Sequence, residues 1–140
     1  MSLRLLPPPL LRCPLVAAMA AIAGIHASLV PEHLREAPYA GVLFIALSVA
    51  AITTAGLLAM WNHPYVRVAA AALSLAAVLG YVISRSIGLP LLGDDLGDWL
   101  NPLGDAALGC EIAVMVICFP TPLERAWSTG SALVPRSGRY

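Results

Sequence analysis

The residues 24–41, GIHASLVPEHLREAPYAG, place two histidines, two glutamates and an arginine inside an otherwise apolar half of the chain. His26, Glu32, His33 and Glu36 are the side-chain types that bind transition metals or pass protons, because imidazole and carboxylate can each give a lone pair to a metal ion or to an exchangeable proton. Such a donor set suits zinc, manganese, iron or copper(II), whereas the thiolate-rich set favoured by copper(I) is missing. The seven-residue spacing of His26 and His33 lets them share one ion only if the chain bends at Val30-Pro31. That bend would fold a short surface helix, Pro31 to Ala37, back over the preceding segment. On that helix His33 and Glu36, or Glu32 and Glu36, share a face. Asp105 could complete the ligand set from the last apolar segment. Affinity for a divalent transition metal should then fall as pH drops through the ordinary histidine range near about 6.5. The bland alternative is a hydrogen-bonded His26 beneath a solvated rim of Glu32, Arg35 and Glu36.

Glu111 poses a separate question. It lies about 15 Å along a helix from Asn101, at 1.5 Å per residue, near the middle of a bilayer. A carboxylate at that depth costs at least about 2.5–3.5 kcal/mol unless it is neutral or paired. Glu111 shares a helical stripe with Leu108, Met115 and Cys118, whereas Asp105 belongs to another with Gly109 and Ile112. Arg85 is the expected partner of Asp105, and reaches Glu111 only if its own helix runs deeper.

These residues need helices to position them. The chain of 140 residues is 59% hydrophobic and 11% charged. A soluble domain carries about 25% charged residues, so this composition cannot build a water-exposed surface. Four apolar segments, residues 15–30, 40–60, 68–84 and 103–119, approach the roughly 17–25 residues that cross a bilayer as a helix. Their Ala and Leu content suits helices, and no alternating pattern suggests barrel strands. The expectation is an all-α four-transmembrane-helix bundle over residues 15–120, with a short amphipathic helix in the first outer loop. Residues 1–14 form an N-terminal segment and 121–140 a flexible tail. Pro31, Pro38, Pro64 and Pro102 each fit the first turn of a helix, and Asn101 is a good N-cap. Ala21-Ile22-Ala23 before Gly24 could pass for a signal cleavage site, yet apolar sequence continues to Val30, so the segment is expected to stay as helix 1.

The basic residues, all arginine, orient the bundle. Arg4, Arg12, Arg67, Arg125, Arg136 and Arg139 fall on one side and only Arg35 and Arg85 on the other. The positive-inside rule therefore puts both termini in the cytoplasm, with the His/carboxylate cluster outside. Trp61, Trp99 and Trp127 fall near helix ends, where an interfacial belt belongs.

Other chemistry finds little support. GDDLGD, residues 93–98, lacks EF-hand spacing, and Asp94 or Asp95 reads as the N-cap of a short interfacial helix. Cys13, Cys110 and Cys118 form no CxxC pair. No nucleophile motif, phosphate loop or dinucleotide fingerprint is present, and no basic surface exists for nucleic acid. Haem would need axial histidines, and His26 and His63 lie towards opposite faces.

The motifs PEHLRE, after helix 1, and SRSIGLP, after helix 3, carry a resemblance. The chain resembles an uncharacterised family of small four-helix bacterial integral membrane proteins with P-E-H-L-x-E and S-R-x-x-G-L-P at those places. The likeness covers most of residues 20–118. It implies a bacterial inner membrane, a histidine late in helix 1 and an acid within helix 4, here His26 and Glu111, and an architecture without an established activity. Two function classes follow. One is a protein that handles a metal cation or proton through the His/carboxylate cluster, with a homo-oligomer needed for a wide path. The other is a non-catalytic accessory or assembly subunit of a larger membrane complex, for which abundant Ala and Gly allow close helix approach.

Overall fold

A computed structural model of the chain describes residues 9–61 and 63–119. The expected tail, 121–140, and much of the expected N-terminal segment lie outside them. Four helices run up and down in sequence: α1 Pro9–Glu36, α2 Pro38–Met60, α3 Pro64–Ser86 and α4 Pro102–Cys118. Each packs against its chain neighbour and α1 closes the square against α4, while α2 and α3 touch least. The first three are long and apolar enough to cross a membrane, and α4 is shorter at 17 residues. Large apolar side chains such as Val42, Leu43, Val49, Ile52 and Val116 are exposed on the outer faces. This is the surface of a multi-pass helical membrane protein, because lipid tails and not water must cover it.

The prolines punctuate as helix chemistry requires. Pro38, Pro64 and Pro102 sit in first turns, where a missing N–H costs nothing. Asn101 caps α4, its side-chain oxygen accepting from the Gly104 N–H at 3.1 Å. Pro31 behaves differently and corrects one expectation. No separate surface helix forms in the first connection, because α1 runs unbroken through Pro31 to Glu36. Pro31 removes a single backbone donor, and the turn beyond it is held by Ala37 N–H donating to His33 O at 2.9 Å. Packing of His33 on Phe44 further offsets the lost bond.

The α1–α2 connection is one residue, the fully buried Ala37 in extended conformation. So tight a reversal drives the helices together, and Gly41 is where they meet. A Cβ there would lie 2.8 Å from the Leu34 Cα, which no side chain tolerates without backbone movement.

One end of the bundle carries the α1–α2 and α3–α4 connections and is here the two-loop end; the other carries the α2–α3 connection. The apolar core fills the one-loop end: Leu15, Met19 and Ile22 of α1 pack on Ala51, Ala55 and Leu58 of α2, Ala70 of α3 and Val114 of α4. Small residues at the crossings let the helices approach closely. Two arginines close this end over helix C-termini. Arg12 Nε donates to Leu58 O at 2.9 Å, and Arg67 Nη2 to Ile117 O at 2.7 Å. Each guanidinium meets carbonyls that lack intrahelical partners and the negative end of a helix dipole. A second, smaller apolar cluster, Ala37, Ala40 and Leu92, lies under the loops at the two-loop end. Between the two clusters the bundle is not filled.

Candidate functional site

The unfilled space is a cavity of about 360 Å³, lined by all four helices and the α3–α4 connection. Leu29, Leu43, Leu47 and Ala77 form apolar wall. His26, Glu32, His33, Glu36, Arg85, Asp95 and Glu111 bring titratable groups to it. Local helix geometry positions each. Glu111 takes the inward stripe of α4 with Ala107 and Val114, all buried, while Asp105 and Ile112 point outward. The inward face leaves Glu111 only 2% exposed, and His26, on the facing stripe of α1, only 7%.

His26 Nε2 lies 3.7 Å from Glu111 Oε1. That gap exceeds hydrogen-bonding distance. The other ring nitrogen fixes the tautomer: His26 Nδ1 sits 2.9 Å from Ile22 O, and a carbonyl can only accept, so Nδ1 carries the hydrogen. In the neutral ring Nε2 is therefore an acceptor. An acceptor faces a carboxyl group across a short gap at the floor of a cavity.

His33 repeats the arrangement two turns higher. Its Nδ1 lies 2.9 Å from Leu29 O, so its Nε2 is again left with a lone pair when neutral. Both rings pack on Phe44, with centroids at 5.2 Å for His26 and 4.4 Å for His33. The phenyl ring thus spaces two imidazoles along the same face of α1. Glu32 and Glu36 stand exposed at the rim beside His33.

The opposite wall is built around Arg85, which is 7% exposed. The expected Arg85–Asp105 pair does not form. The α3–α4 connection folds back over the end of α3, its Gly97 N–H donating to Arg85 O at 2.9 Å. This brings Asp95 Oδ1 to 2.5 Å from Arg85 Nη1. Asp105 is instead held by Tyr81, whose hydroxyl donates to it at 2.9 Å. Gly104 makes that reach feasible, since a Cβ there would come within 2.8 Å of the Tyr81 ring. Tyr81 also lies beneath the Arg85 guanidinium, 5.0 Å from ring centroid to the cation. Arg85 Nε remains buried without a partner.

Of the residues singled out in sequence, the fold brings His26 to Glu111 and gathers Glu32, His33 and Glu36 at the rim. It keeps the two histidines apart and turns Asp105 away from the cavity. Among the described residues no group of three or more His, Cys, Asp or Glu is placed to hold a metal ion. With α1 unbroken, His26 and His33 stand about 10 Å apart along the helix axis, too far for one ion bound at about 2 Å per ligand. Phe44, Tyr81 and Asp95 complete the site without having been picked out as its members. Tyr81 precedes Arg85 by four residues, a spacing that puts both on one helical face. Phe44 carries no comparable signal.

Comparison with protein-family models, with curated proteins and with solved structures finds no match. The chain is a multi-pass membrane protein by its helices, and the cavity gathers its buried titratable groups.

Proposed function

We propose that this chain is a four-span membrane protein with cytoplasmic termini, whose cavity opens to the outer side and takes up a proton or another hydrogen-bond-donating cation at His26 and Glu111. The observation that carries this reading is the pair of facing acceptors, His26 Nε2 and the Glu111 carboxyl, 3.7 Å apart at the cavity floor. Two buried acceptors are a costly arrangement unless a hydrogen lies between them. A proton on either group supplies it, and so does an N–H of a bound cation. The cavity's charge supports the same sign of occupant, for it is lined by four carboxyl groups and one guanidinium, the latter already matched by Asp95. Its volume falls in the range of about 300–1,000 Å³ typical of small-ligand sites, and among the described residues no group of three or more His, Cys, Asp or Glu is placed for a bare metal ion. The distribution of arginines supports the orientation, with Arg12 and Arg67 at the one-loop end.

Infrared difference spectroscopy on protein in nanodiscs tests the reading. Stepping the bulk pH should interconvert carboxylic acid and carboxylate bands, and one such pair should vanish in Glu111→Gln. Identical difference spectra for the two proteins would mean that Glu111 exchanges no proton, and the reading fails.

A second reading has one observation in its favour. In the α3–α4 connection Ile87, Leu91, Leu96 and Leu100 are exposed, a surface on which an accessory subunit could dock against a larger membrane complex. Recovery of a stoichiometric partner through mild-detergent purification, lost on Leu91→Ser with Leu100→Ser, would favour it.

A further inference from the structure

The cavity has two separate places for a positive charge, not one. At its floor are His26 Nε2 and Glu111. At its rim are His33 Nε2, Glu32 and Glu36. Between them the wall is Phe44 with Leu29, Leu43 and Leu47. Both polar ends offer acceptors. The hydroxyl donors nearby are already engaged, Tyr39 with Pro90 O at 2.6 Å, Tyr81 with Asp105 and Ser84 with Tyr81 O. The guanidinium of Arg85 on the far wall is neutralised by Asp95. Two acceptor sites separated by a lipophilic wall match a molecule with a donor-bearing cation at each end and methylenes between.

Resting on the cation-binding reading above, we infer that the occupant of this cavity is a linear aliphatic diammonium ion, with one ammonium between His26 and Glu111 and the other among His33, Glu32 and Glu36. The rise between the two histidines, about 10 Å, sets its length. An extended chain advances roughly 1.2 Å per bond, a third of the 3.3–3.6 Å spanned by one three-bond backbone unit, so the nitrogens should be about eight or nine bonds apart. The inner ammonium replaces the missing hydrogen between the floor acceptors with two of its own. The outer one stays near water, where Glu32 and Glu36 are exposed. The methylenes cover Phe44 and the leucines and gain the free energy of leaving water. The rim carboxylates also raise the local concentration of cations at the mouth.

Calorimetry on the purified chain in nanodiscs, against empty nanodiscs, would compare diaminooctane, diaminobutane, octylamine and aminooctanoate. Diaminooctane should bind one per chain, about tenfold or more tighter than octylamine or diaminobutane, since the second ammonium adds at least one charged hydrogen bond. Aminooctanoate should not exceed octylamine, because its carboxylate would face Glu32 and Glu36. The double variant Glu32→Gln, Glu36→Gln should reduce diaminooctane to the affinity of octylamine and leave octylamine unchanged. Octylamine or aminooctanoate binding as tightly as diaminooctane would overturn the two-ended occupant. Absence of all amine binding would overturn it too, and if the Glu111 carboxyl still exchanges its proton, the underlying reading survives alone.

Discussion

At the scale of single residues, Glu111 and His26 face each other at the cavity floor because each is the polar member of an otherwise apolar inward stripe of its helix. Glu111 stands in a run of apolar residues whose helical register has to bury or expose it, and burial follows from the cost of a carboxyl group facing lipid. The partner across the bundle depends on how α1 rotates against α4, which one-dimensional spacing does not contain, so sequence pairs Arg85 with Asp105 and names no close partner for Glu111. The same gap explains Asp105. Tyr81 reaches it because Gly104 leaves room, a contact set by packing between helices. Two substitutions separate shape from chemistry at Glu111. Glu111→Gln keeps volume and hydrogen-bonding capacity, so the protein should accumulate and unfold like wild type while losing cation-linked binding. Glu111→Ala should also lose about 1–3 kcal/mol of stability, since it leaves His26 Nε2 facing a larger void. SDS-titrated unfolding read by tryptophan fluorescence checks both. A Glu111→Gln protein that fails to accumulate would make the residue a structural partner and no binding group. Tyr81→Phe removes one hydrogen bond to an exposed carboxylate, and about 1 kcal/mol is its expected cost in the same assay.

At the scale of elements, four helices follow from four apolar runs, and proline marks three of their starts. The fourth proline misleads because sequence alone gives Pro31 two meanings, the opening of a new helix or an interruption inside a long one. The structure takes the second, and membrane helices accommodate it through local hydrogen bonds and packing. The consequence for the site is direct, since an unbroken α1 holds His26 and His33 two turns apart instead of folding one over the other. Pro31→Ala should therefore stabilise the protein, by up to about 3 kcal/mol, as it restores a donor to an existing helix. A surface helix that depended on Pro31 for its first turn would gain nothing, and loss of the amine site in this variant would show that Pro31 itself sets the spacing of the two histidines. Gly41→Ala should act the opposite way. Its Cβ would meet the Leu34 backbone at 2.8 Å, so α1 and α2 must separate at a cost of about 1–3 kcal/mol. Because the reversal at Ala37 is a single residue, that separation also shifts Phe44 and the floor of the cavity.

At the scale of the whole molecule, the arginines and the cavity point to the same polarity. The one-loop end is packed with apolar side chains and capped by Arg12 and Arg67. The two-loop end is where the cavity gathers its carboxylates, Glu32 and Glu36 at the rim and Asp95 with Arg85. A membrane protein retains arginine on the cytoplasmic side, so the cavity should open outward, and an acidic mouth there would draw cations from the external medium. Leu34 lies near that mouth and Tyr65 at the other end, both exposed at 39% and 78%. Cysteine at either place is thus reachable by reagent if the reagent is on the correct side of the membrane. The native cysteines Cys13, Cys110 and Cys118 are free thiols and must first be replaced by serine, because Cys13 is exposed at the same end as Tyr65. In intact cells an impermeant maleimide should modify Leu34→Cys and spare Tyr65→Cys, and permeabilising the cells should make Tyr65→Cys react as well. The opposite pattern would place the cavity mouth in the cytoplasm, where its ligand would come from the cell's own interior. Labelling of both in intact cells would mean that the chain inserts in two orientations, leaving the arginine bias too weak to fix one.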